Sequence, residues 1–309
     1  MLFSVVIPAY KSLYLSETIN SILAQSFRDY EVIIVDDCSP FDIRSVVNSF
    51  DDARIHYYRN EKNFGAENVV DNWNKCLALA KGEYIICMGD DDCLLPDCLD
   101  EYHNLIQKYP GIGVLHGWTE IIDENSRVIS PTVHRCEYES AVSLIWHRWR
   151  CYNLQFIGDF CFNTAWLRAN GGFFKLPLAW GSDDVSAFIA ASKNGIANTQ
   201  KLVFQYRENP HTISKTGNSR LKMEAILLEH QWVKEFISKE CDDEVDELYR
   251  QALLRMMGKV YHKRKAVTIS EDLQKESIFA IFYWLKRKNH FQLSTSTLLR
   301  AVLLYIKWW

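Results

Sequence analysis

The sequence predicts an α/β protein with a mixed, mostly parallel sheet flanked by helices and a helical C-terminal region. Over the first 110 residues, short apolar runs alternate with longer amphipathic stretches, the pattern of a parallel sheet covered by crossover helices. Beyond about residue 215, apolar residues recur at helical spacing instead. Of the 309 residues, 48% are hydrophobic and 24% are charged. This composition excludes collagen-like, disordered and small disulfide-rich proteins.

The predicted strands and helices extend from residue 3 to residue 206. Strands are predicted at residues 3–9, 31–35, 54–59, 83–88, 112–116, 120–122, 155–162 and 196–206. Helices are predicted at residues 13–25, 69–80, 97–108, 141–150 and 182–195, with a short one capped by Asn163 or Thr164. Open parallel sheets bind ligands beyond the carboxyl ends of their strands. The loops after the first four strands are therefore the candidate site.

Charge is distributed unevenly along the chain. From residue 249 onwards, 12 Lys and Arg stand against 3 Asp and Glu, a charge of +9. The first 248 residues hold the remaining 23 and 36, a charge of −13. The formal net charge of −4 thus averages an acidic body and a basic tail.

Cysteine content and hydropathy favour a cytoplasmic protein. Nine cysteines without a Cys-x-x-Cys pair are typical of reduced thiols rather than of a disulfide framework or a zinc site. The N-terminal segment has no charged leader and meets Pro8 almost at once, so we expect no secretory signal peptide. No apolar run approaches the roughly 20 residues of a membrane-spanning helix.

The strongest chemical signal is Asp90-Asp91-Asp92, which follows Gly89 at the end of a predicted strand. Adjacent carboxylates repel one another unless they are solvated, hydrogen-bonded or neutralised by a cation. Mg²⁺ and Mn²⁺ prefer oxygen ligands, and Mg²⁺ is usually held by one or two carboxylates with substrate phosphates. A solvated acidic loop is the alternative. The position at a strand's carboxyl end favours the metal site.

Two further acidic pairs and one histidine are candidates. Asp36-Asp37 ends the second strand, where a carboxylate commonly binds a ribose or base, or else caps the next helix. Asp183-Asp184 begins a predicted helix, either to complement the helix dipole or to supply a general base. His211 follows a strand and is a candidate metal or phosphate ligand, or a plain surface residue.

Short motifs in a fixed order carry a family resemblance. They are Val5-Val6-Ile7-Pro8-Ala9-Tyr10, Val35-Asp36-Asp37-Cys38-Ser39, Asn63-Phe64-Gly65, Gly82-Glu83-Tyr84-Ile85, Asp90-Asp91-Asp92, Gly171-Gly172-Phe173 and Asp183-Asp184. Each is unspecific alone, but together they resemble the family 2 glycosyltransferases. The resemblance implies a GT-A fold over residues 1–214, with a nucleotide-sugar half at 1–110 and an acceptor half at 111–214. Residues 215–309 then form a helical C-terminal region.

The resemblance also implies which residues bind the donor. The residues that would line the nucleotide-sugar pocket are Pro8, Ala9, Tyr10 and Asn63. Asp37 would hold the base, and Asp90 would lie near the ribose.

The same resemblance assigns the metal and the base. Asp91 would bind Mn²⁺ or Mg²⁺ on the diphosphate, with His211 as a further ligand candidate. Asp184 matches the family's proposed catalytic base, and Asp92 and Asp183 are supporting residues.

Three departures from the family pattern stand out. Gly89 replaces the first Asp of the commoner Asp-x-Asp-Asp string, and Asp183 replaces a Glu. Trp73-Asn74 stands where Arg-Asn is frequent, which leaves the pyrimidine contacts open.

The predicted function is inverting transfer of a hexosyl group from a nucleoside diphosphate sugar, a UDP-sugar, to a hydroxyl of a glycan or lipid-linked acceptor. The pathway predicted is surface polysaccharide biosynthesis. One alternative is a non-catalytic carbohydrate- or partner-binding protein on a GT-A scaffold. Another is a sugar-nucleotide pyrophosphorylase, which is disfavoured because residues 9–12 lack the glycines of its phosphate loop.

The tail at residues 249–309 sets basic beside apolar residues. Its basic triplets are Lys263-Arg264-Lys265 and Lys286-Arg287-Lys288, and it ends in Trp308-Trp309. This pattern suits the boundary of an anionic bilayer, which predicts peripheral attachment at the inner face of the membrane. The alternative is that these helices pack on the catalytic domain with their basic residues in solvent. Nucleic acid is not an expected partner, because no known binding motif is present.

Overall fold

The structure is a computed structural model that describes residues 1–132, 134–209 and 217–307. It divides into two compact units. Unit 1 contains Met1–Lys175 and the described residues of Ser182–Pro210. Unit 2 contains Leu176–Gly181 and the described residues of His211–Trp309.

Unit 1 is built on a mixed sheet in which most paired residues lie in parallel ladders. Its described strands are β1 (Phe3–Ala9), β2 (Tyr30–Asp36), β3 (Ile55–Arg59), β4 (Tyr84–Cys87), β5 (Cys93–Leu94), β6 (Val114–Ile122), β7 (Val128–Pro131), β8 (Tyr138–Glu139), β9 (Phe160–Asn163) and β10 (Ile196–Arg207). Their order is β3-β2-β1-β4-β9-β6-β10-β5, with β7 on β6 and β8 on β10. Strands β1 to β4 are mutually parallel, and β10 is parallel to β6. Strand β9 is antiparallel to both its neighbours and joins the two halves.

Helices cover this sheet. They are α1 (Leu15–Leu23), α2 (Ile43–Asn48), α3 (Val69–Leu79), α4 (Cys98–Lys108), α5 (Ala141–Trp149), α6 (Thr164–Ala169) and α7 (Ser182–Asn194). In α1, the buried residues Leu15, Ile19 and Ile22 recur at helical spacing and face the core formed with β1 and β2. Helix α6 begins at a cap in which the Asn163 side chain accepts a hydrogen bond from the backbone of Trp166, at 2.9 Å.

Two segments differ from the predicted pattern. The expected strand at 155–162 starts instead with a 3₁₀ turn, Ile157–Asp159, because the Asp159 carboxylate accepts the backbone N–H of Phe156 and holds the chain in a turn. The two short strands expected at 112–122 form the single strand β6, which pairs with β10 along its length.

The described residues of unit 2 form helices and turns. Its elements are a 3₁₀ turn at Pro177–Ala179, α8 (Ser219–Phe236), α9 (Glu244–Lys275), a 3₁₀ turn at Ile278–Ala280, α10 (Ile281–Lys286) and α11 (Thr295–Lys307). Its core packs Ile269 and Leu273 of α9 against Trp284, Leu298 and Ala301. Among the described helices, none is both long and apolar enough to cross a membrane.

Candidate functional site

The loops after β1, β2 and β4 meet at one edge of the sheet. The Asp90 carboxylate accepts the backbone N–H groups of Tyr10 and Lys11, each at 2.6 Å. The Ser39 hydroxyl donates to the carbonyl oxygen of Tyr10, and the backbone N–H of Asp37 donates to Ala9 at 2.9 Å. These hydrogen bonds therefore join the loops after β2 and β4 to the backbone of residues 9–11, at the end of β1.

Asp36 and Asp37 have different surroundings. Asp36 is fully buried, and its carboxylate accepts the Tyr57 hydroxyl at 2.6 Å, so its role is structural. Asp37 accepts the side-chain amide of Asn60 at 2.9 Å and the backbone N–H of Phe64 at 3.1 Å. It therefore ties the loop after β3 to the same edge.

Neither member of this pair caps the next helix. The cap of α2 is Asp42, whose carboxylate accepts the backbone N–H of Ser45 at 3.0 Å. The capping alternative for Asp36 and Asp37 is thus wrong.

The other predicted donor residues lie on the same edge with different exposure. Ala9 is buried in β1 and Pro8 is half-buried. Tyr10 is 41% exposed, with its ring set edge-on to that of Phe41 at 6.3 Å between centroids. Asn63 is exposed in the loop after β3.

The acidic loop at Asp90–Asp92 is fastened to the end of β10. Asp91 Oδ2 accepts the side-chain amide of Asn209 at 2.9 Å, and its carbonyl oxygen accepts Arg207 Nε at 2.8 Å. The buried Asp92 accepts the backbone N–H of Arg207 at 2.9 Å. A Cβ on Gly89 would come within 2.9 Å of both Asp91 and Asp92 carboxylate oxygens, which explains a glycine at this departure from the family pattern.

Negative charge is crowded in this loop. Burial raises the pKa of all three carboxyl groups, and that of Asp90 reaches about 6. Repulsion from Asp91 adds to the effect on Asp90 and Asp92. Lys11 and Arg207 oppose it at Asp91. A bound cation would lower these pKa values, because it favours the ionised form.

The donor set fits a divalent cation that is shared with a ligand. Among the described residues, no group of three His, Cys, Asp or Glu side chains is arranged to hold a metal by itself. Asp91 offers hard carboxylate oxygens, and substrate phosphates are the usual partners of such a ligand. The other predicted ligand, His211, lies outside the described residues.

The second acidic cluster begins α7. Asp184 is buried, and Arg148 Nε lies 2.9 Å from its Oδ1 and 3.1 Å from its Oδ2. Gln155 Nε2 also donates to Oδ1. The buried Arg135 donates to Gln155 Oε1 at 3.1 Å. Since a guanidinium only donates, this contact turns the amide oxygen of Gln155 towards Arg135 and its NH₂ towards Asp184.

Asp183 differs from its neighbour. It is partly exposed, and burial together with the charge of Asp184 raises the pKa of Asp183 to about 7. Arg148 opposes this shift. One carboxylate of the pair is thus held in an ion pair, while the other changes charge near neutral pH.

One aromatic stack is adjacent in sequence to residues of both clusters. The rings of Phe156 and Tyr206 are parallel, with centroids 3.8 Å apart. Phe156 follows Gln155 in the chain, and Tyr206 precedes Arg207. Burial raises the pKa of Tyr206, and the carboxylates of both clusters raise it further. Both acidic clusters therefore lie close enough to Tyr206 for their charges to affect it.

Four residues of the site carry no functional signal in the sequence. They are Arg135, Arg148, Gln155 and Asn209. Arg148 lies on a correctly predicted helix, but nothing in its spacing points to an aspartate 36 residues later. Gln155 lies in a segment whose apolar pattern predicts a strand.

The family model for glycosyl transferase family 2 matches residues 4–163, just over half of the chain. The chain belongs to this family. The predicted family resemblance is confirmed.

Curated relatives of this family match only in part. A GalNAc(5)-diNAcBac-PP-undecaprenol β-1,3-glucosyltransferase of Campylobacter jejuni is 38% identical over 108 residues, 34% of this chain and 33% of the relative. A UDP-Glc:α-D-GlcNAc-diphosphoundecaprenol β-1,3-glucosyltransferase of Escherichia coli, WfgD, is 31% identical over 128 residues, 41% of this chain and 49% of the relative. The chain spans less than half the length of the curated relatives it matches.

A solved structure supports the fold over a longer stretch. TarS of S. aureus, crystallised in complex with UDP-GlcNAc, superposes with a TM-score of 0.65 at 19% identity. The match covers 88% of this chain and 81% of that one. The predicted fold class, a mostly parallel mixed sheet with helices and a helical C-terminal part, is confirmed.

Proposed function

We propose that this protein is an inverting glycosyltransferase that moves a hexosyl group from a UDP-sugar to a hydroxyl of a lipid-linked glycan during polysaccharide biosynthesis. Membership of the family supports glycosyl transfer. The observation that carries the proposal is the Asp90 carboxylate bridging the backbone N–H groups of Tyr10 and Lys11. It gathers the strand ends where an open α/β sheet binds a nucleotide.

The donor lies along this edge in our proposal. Pro8, Ala9, Tyr10 and Asn63 line the pocket, Asp37 binds the base, and Asp90 lies near the ribose. Asp37 suits this role because Asn60 and Phe64 fix its carboxylate. The names of WfgD and of the TarS complex, which refer to UDP-sugars, support UDP as the nucleotide.

Asp91 is the proposed metal ligand, supported by Asp92, with His211 as a second candidate. Asp91 would hold a divalent cation, Mn²⁺ or Mg²⁺, which would supply Lewis-acid stabilisation of the leaving diphosphate. The crowded charge of this loop favours such a cation.

Asp184 is the proposed general base. It takes the proton of the acceptor hydroxyl as that oxygen bonds to the anomeric carbon, on the face opposite the departing nucleoside diphosphate. Oδ1 accepts from both Arg148 and Gln155, whereas Oδ2 accepts only the longer Arg148 contact among the hydrogen bonds described. Oδ2 is therefore the oxygen with the capacity to take the proton.

The acceptor is proposed to be anchored in a membrane. The names of the C. jejuni and E. coli relatives refer to undecaprenol-linked glycans. An enzyme with such an acceptor acts at the membrane surface, which here means a cytoplasmic protein peripheral to the inner face.

A two-step experiment tests this function. UDP-sugars are first screened by thermal shift with and without Mn²⁺, and those that stabilise the protein are offered with a polyprenyl diphosphate-linked sugar in detergent. We expect metal-dependent stabilisation, followed by a product whose new anomeric bond is inverted by NMR.

Three other outcomes contradict the proposal. Stabilisation by no nucleoside diphosphate sugar, with metal present, would favour the non-catalytic binding protein. Synthesis of the UDP-sugar from UTP and a sugar phosphate would favour the pyrophosphorylase. A retained anomeric configuration would exclude a single displacement with Asp184 as base.

A further inference from the structure

The last helix of unit 2 exposes an apolar face to solvent. Leu299, Leu303 and Ile306 of α11 are 61%, 60% and 58% exposed. They follow one another at steps of four and three residues, which places them on one side of the helix. Leu298 and Ala301 occupy the opposite side and pack into the core of unit 2. Helix α11 is therefore apolar on both sides.

The segment through α10 has the same construction. Phe279, Phe282 and Leu285 are 73%, 65% and 44% exposed, at steps of three residues. Trp284, between them in sequence, is fully buried in the same cluster as Leu298. Both segments thus pack their inner sides on one core and turn these apolar residues away from it.

Every charged side chain beyond Glu276 is basic. The five Lys and Arg residues, all exposed, are Lys286, Arg287, Lys288, Arg300 and Lys307. Within the described residues, none of the five forms an ion pair with an Asp or Glu. Exposed cations and exposed apolar groups therefore occur together here without protein carboxylates to balance them.

The basic triplet at 263–265 differs from this surface. Lys265 is buried and donates to the carbonyl oxygen of Phe291 at 2.9 Å. Arg264 forms an ion pair with the buried Glu229. Of these three cations, one is therefore buried and a second is paired with a buried carboxylate. The five cations beyond Glu276 differ from these two, because all five are exposed.

We propose that residues 279–288 and 299–307, the docking surface, bind a bilayer rich in anionic phospholipids. The apolar side chains would enter the boundary of the acyl chains, and the cations would neutralise lipid phosphates. Charge complementarity selects this partner, because a second copy of the chain would bring five cations against five more. The proposal rests on the proposed function, in which the acceptor is lipid-linked.

Vesicle flotation of the full chain tests the docking surface. The probes are phosphatidylcholine vesicles with and without phosphatidylglycerol. We expect flotation with the anionic vesicles that weakens as salt is added. Phe279→Ser with Phe282→Ser should lower the partition coefficient by about tenfold or more for each residue. Lys286→Glu with Lys288→Glu should lower it by at least about fivefold for each charge removed.

A matched control distinguishes binding by the docking surface from non-specific binding by any exposed apolar residue. Leu248, on α9, is 66% exposed and lies outside the docking surface. Leu248→Ser should float like wild type, and all variants should keep the wild-type melting temperature. Equal flotation of every variant, or no flotation of the wild type with anionic vesicles, would overturn the proposal. So would loss of self-association in the variants without any flotation, which would identify a contact between copies.

Transfer to a detergent-solubilised acceptor distinguishes this proposal from the enzymatic one. The docking variants should retain that transfer while they lose transfer to an acceptor in anionic vesicles. Flotation without any transfer would support membrane binding by the docking surface and contradict the proposed glycosyl transfer. Transfer without flotation would support the enzymatic function and contradict membrane binding.

Discussion

The two acidic clusters of unit 1 are stabilised by different kinds of partner. At Asp90–Asp92, the carboxylates accept backbone N–H groups and the side-chain amide of Asn209, which are neutral donors. At Asp183–Asp184, the guanidinium of Arg148 balances one carboxylate directly. In the proposed function, a cation that arrives with the ligand neutralises the crowded carboxylates of the first cluster. In the second cluster, Asp184 already has a counter-ion from the protein, Arg148, and is the proposed base.

The largest effect is expected for Asp184→Asn. The amide cannot take the acceptor proton, so kcat should fall by roughly a thousandfold, within the usual range for loss of a general base. Binding of the UDP-sugar should persist, because the proposed donor site lies at the other cluster. Initial rates and isothermal titration with the donor measure both quantities. Transfer at the wild-type rate would remove Asp184 as the base.

Asp91→Ala should reduce transfer by about a hundredfold or more, because the diphosphate would lose the proposed metal-mediated stabilisation. In contrast to Asp184→Asn, this variant should lose the effect of Mn²⁺ on donor binding. Titration with UDP-sugar at several Mn²⁺ concentrations shows the difference. Asp51→Ala, at an exposed carboxylate, is the control and should behave as wild type. Unchanged metal dependence in Asp91→Ala would place the cation elsewhere.

Gln155→Glu tests whether the hydrogen bond from Gln155 to Asp184 is needed for the proposed base. The new carboxylate would stand beside Asp184 Oδ1, where it would replace a hydrogen-bond donor by an acceptor and repel the charge of the base. We expect about a tenfold loss of kcat at neutral pH that varies with pH, since a second carboxylate titrates beside the base. Gln155→Ala, which adds no charge, is the matched control and should not shift the profile in this way. A uniform loss at all pH values in Gln155→Glu would indicate a purely structural role.

The smallest effect is expected for Asp183→Asn, and it concerns stability. The pKa of Asp183 rises from 3.8 to about 7 in the folded protein. The folded state therefore holds a proton that the unfolded chain has released, and the free energy of unfolding falls as pH rises from about 4 to about 7. The asparagine variant lacks this loss. Its melting temperature should exceed that of wild type at pH 8, by about 2 to 4 °C for each kcal/mol relieved.

The gap between the two melting temperatures should narrow as pH falls through about 4 and close below it, where Asp183 is protonated in both states. Differential scanning fluorimetry across this range measures it, with Asp51→Asn as the control. Parallel curves for wild type and Asp183→Asn would contradict the raised pKa.

The sequence predicts features that depend on local spacing better than features that depend on side-chain contacts. The acidic loop after β4 was placed correctly because a buried apolar run ended there, and local periodicity is enough to locate a strand end. The turn at Ile157–Asp159 was expected to be strand, because the side-chain bond that bends it leaves no trace in the apolar pattern. In unit 2, the sequence does not distinguish the two basic triplets, although Lys265 is buried and Arg264 pairs with the buried Glu229.

The sequence by itself determined the alternation of strands and helices, the family and the position of each acidic pair at the end or start of an element. These features depend on residues within a few positions of one another, so local spacing encodes them. The tertiary structure decided the partners of each carboxylate: Asp184 meets Arg148 and Gln155 from 36 and 29 residues away, and Asp91 meets Asn209 from 118. Such contacts arise only when the folded sheet brings distant segments together, and they decide which carboxylate is paired with a guanidinium and which accepts a neutral amide.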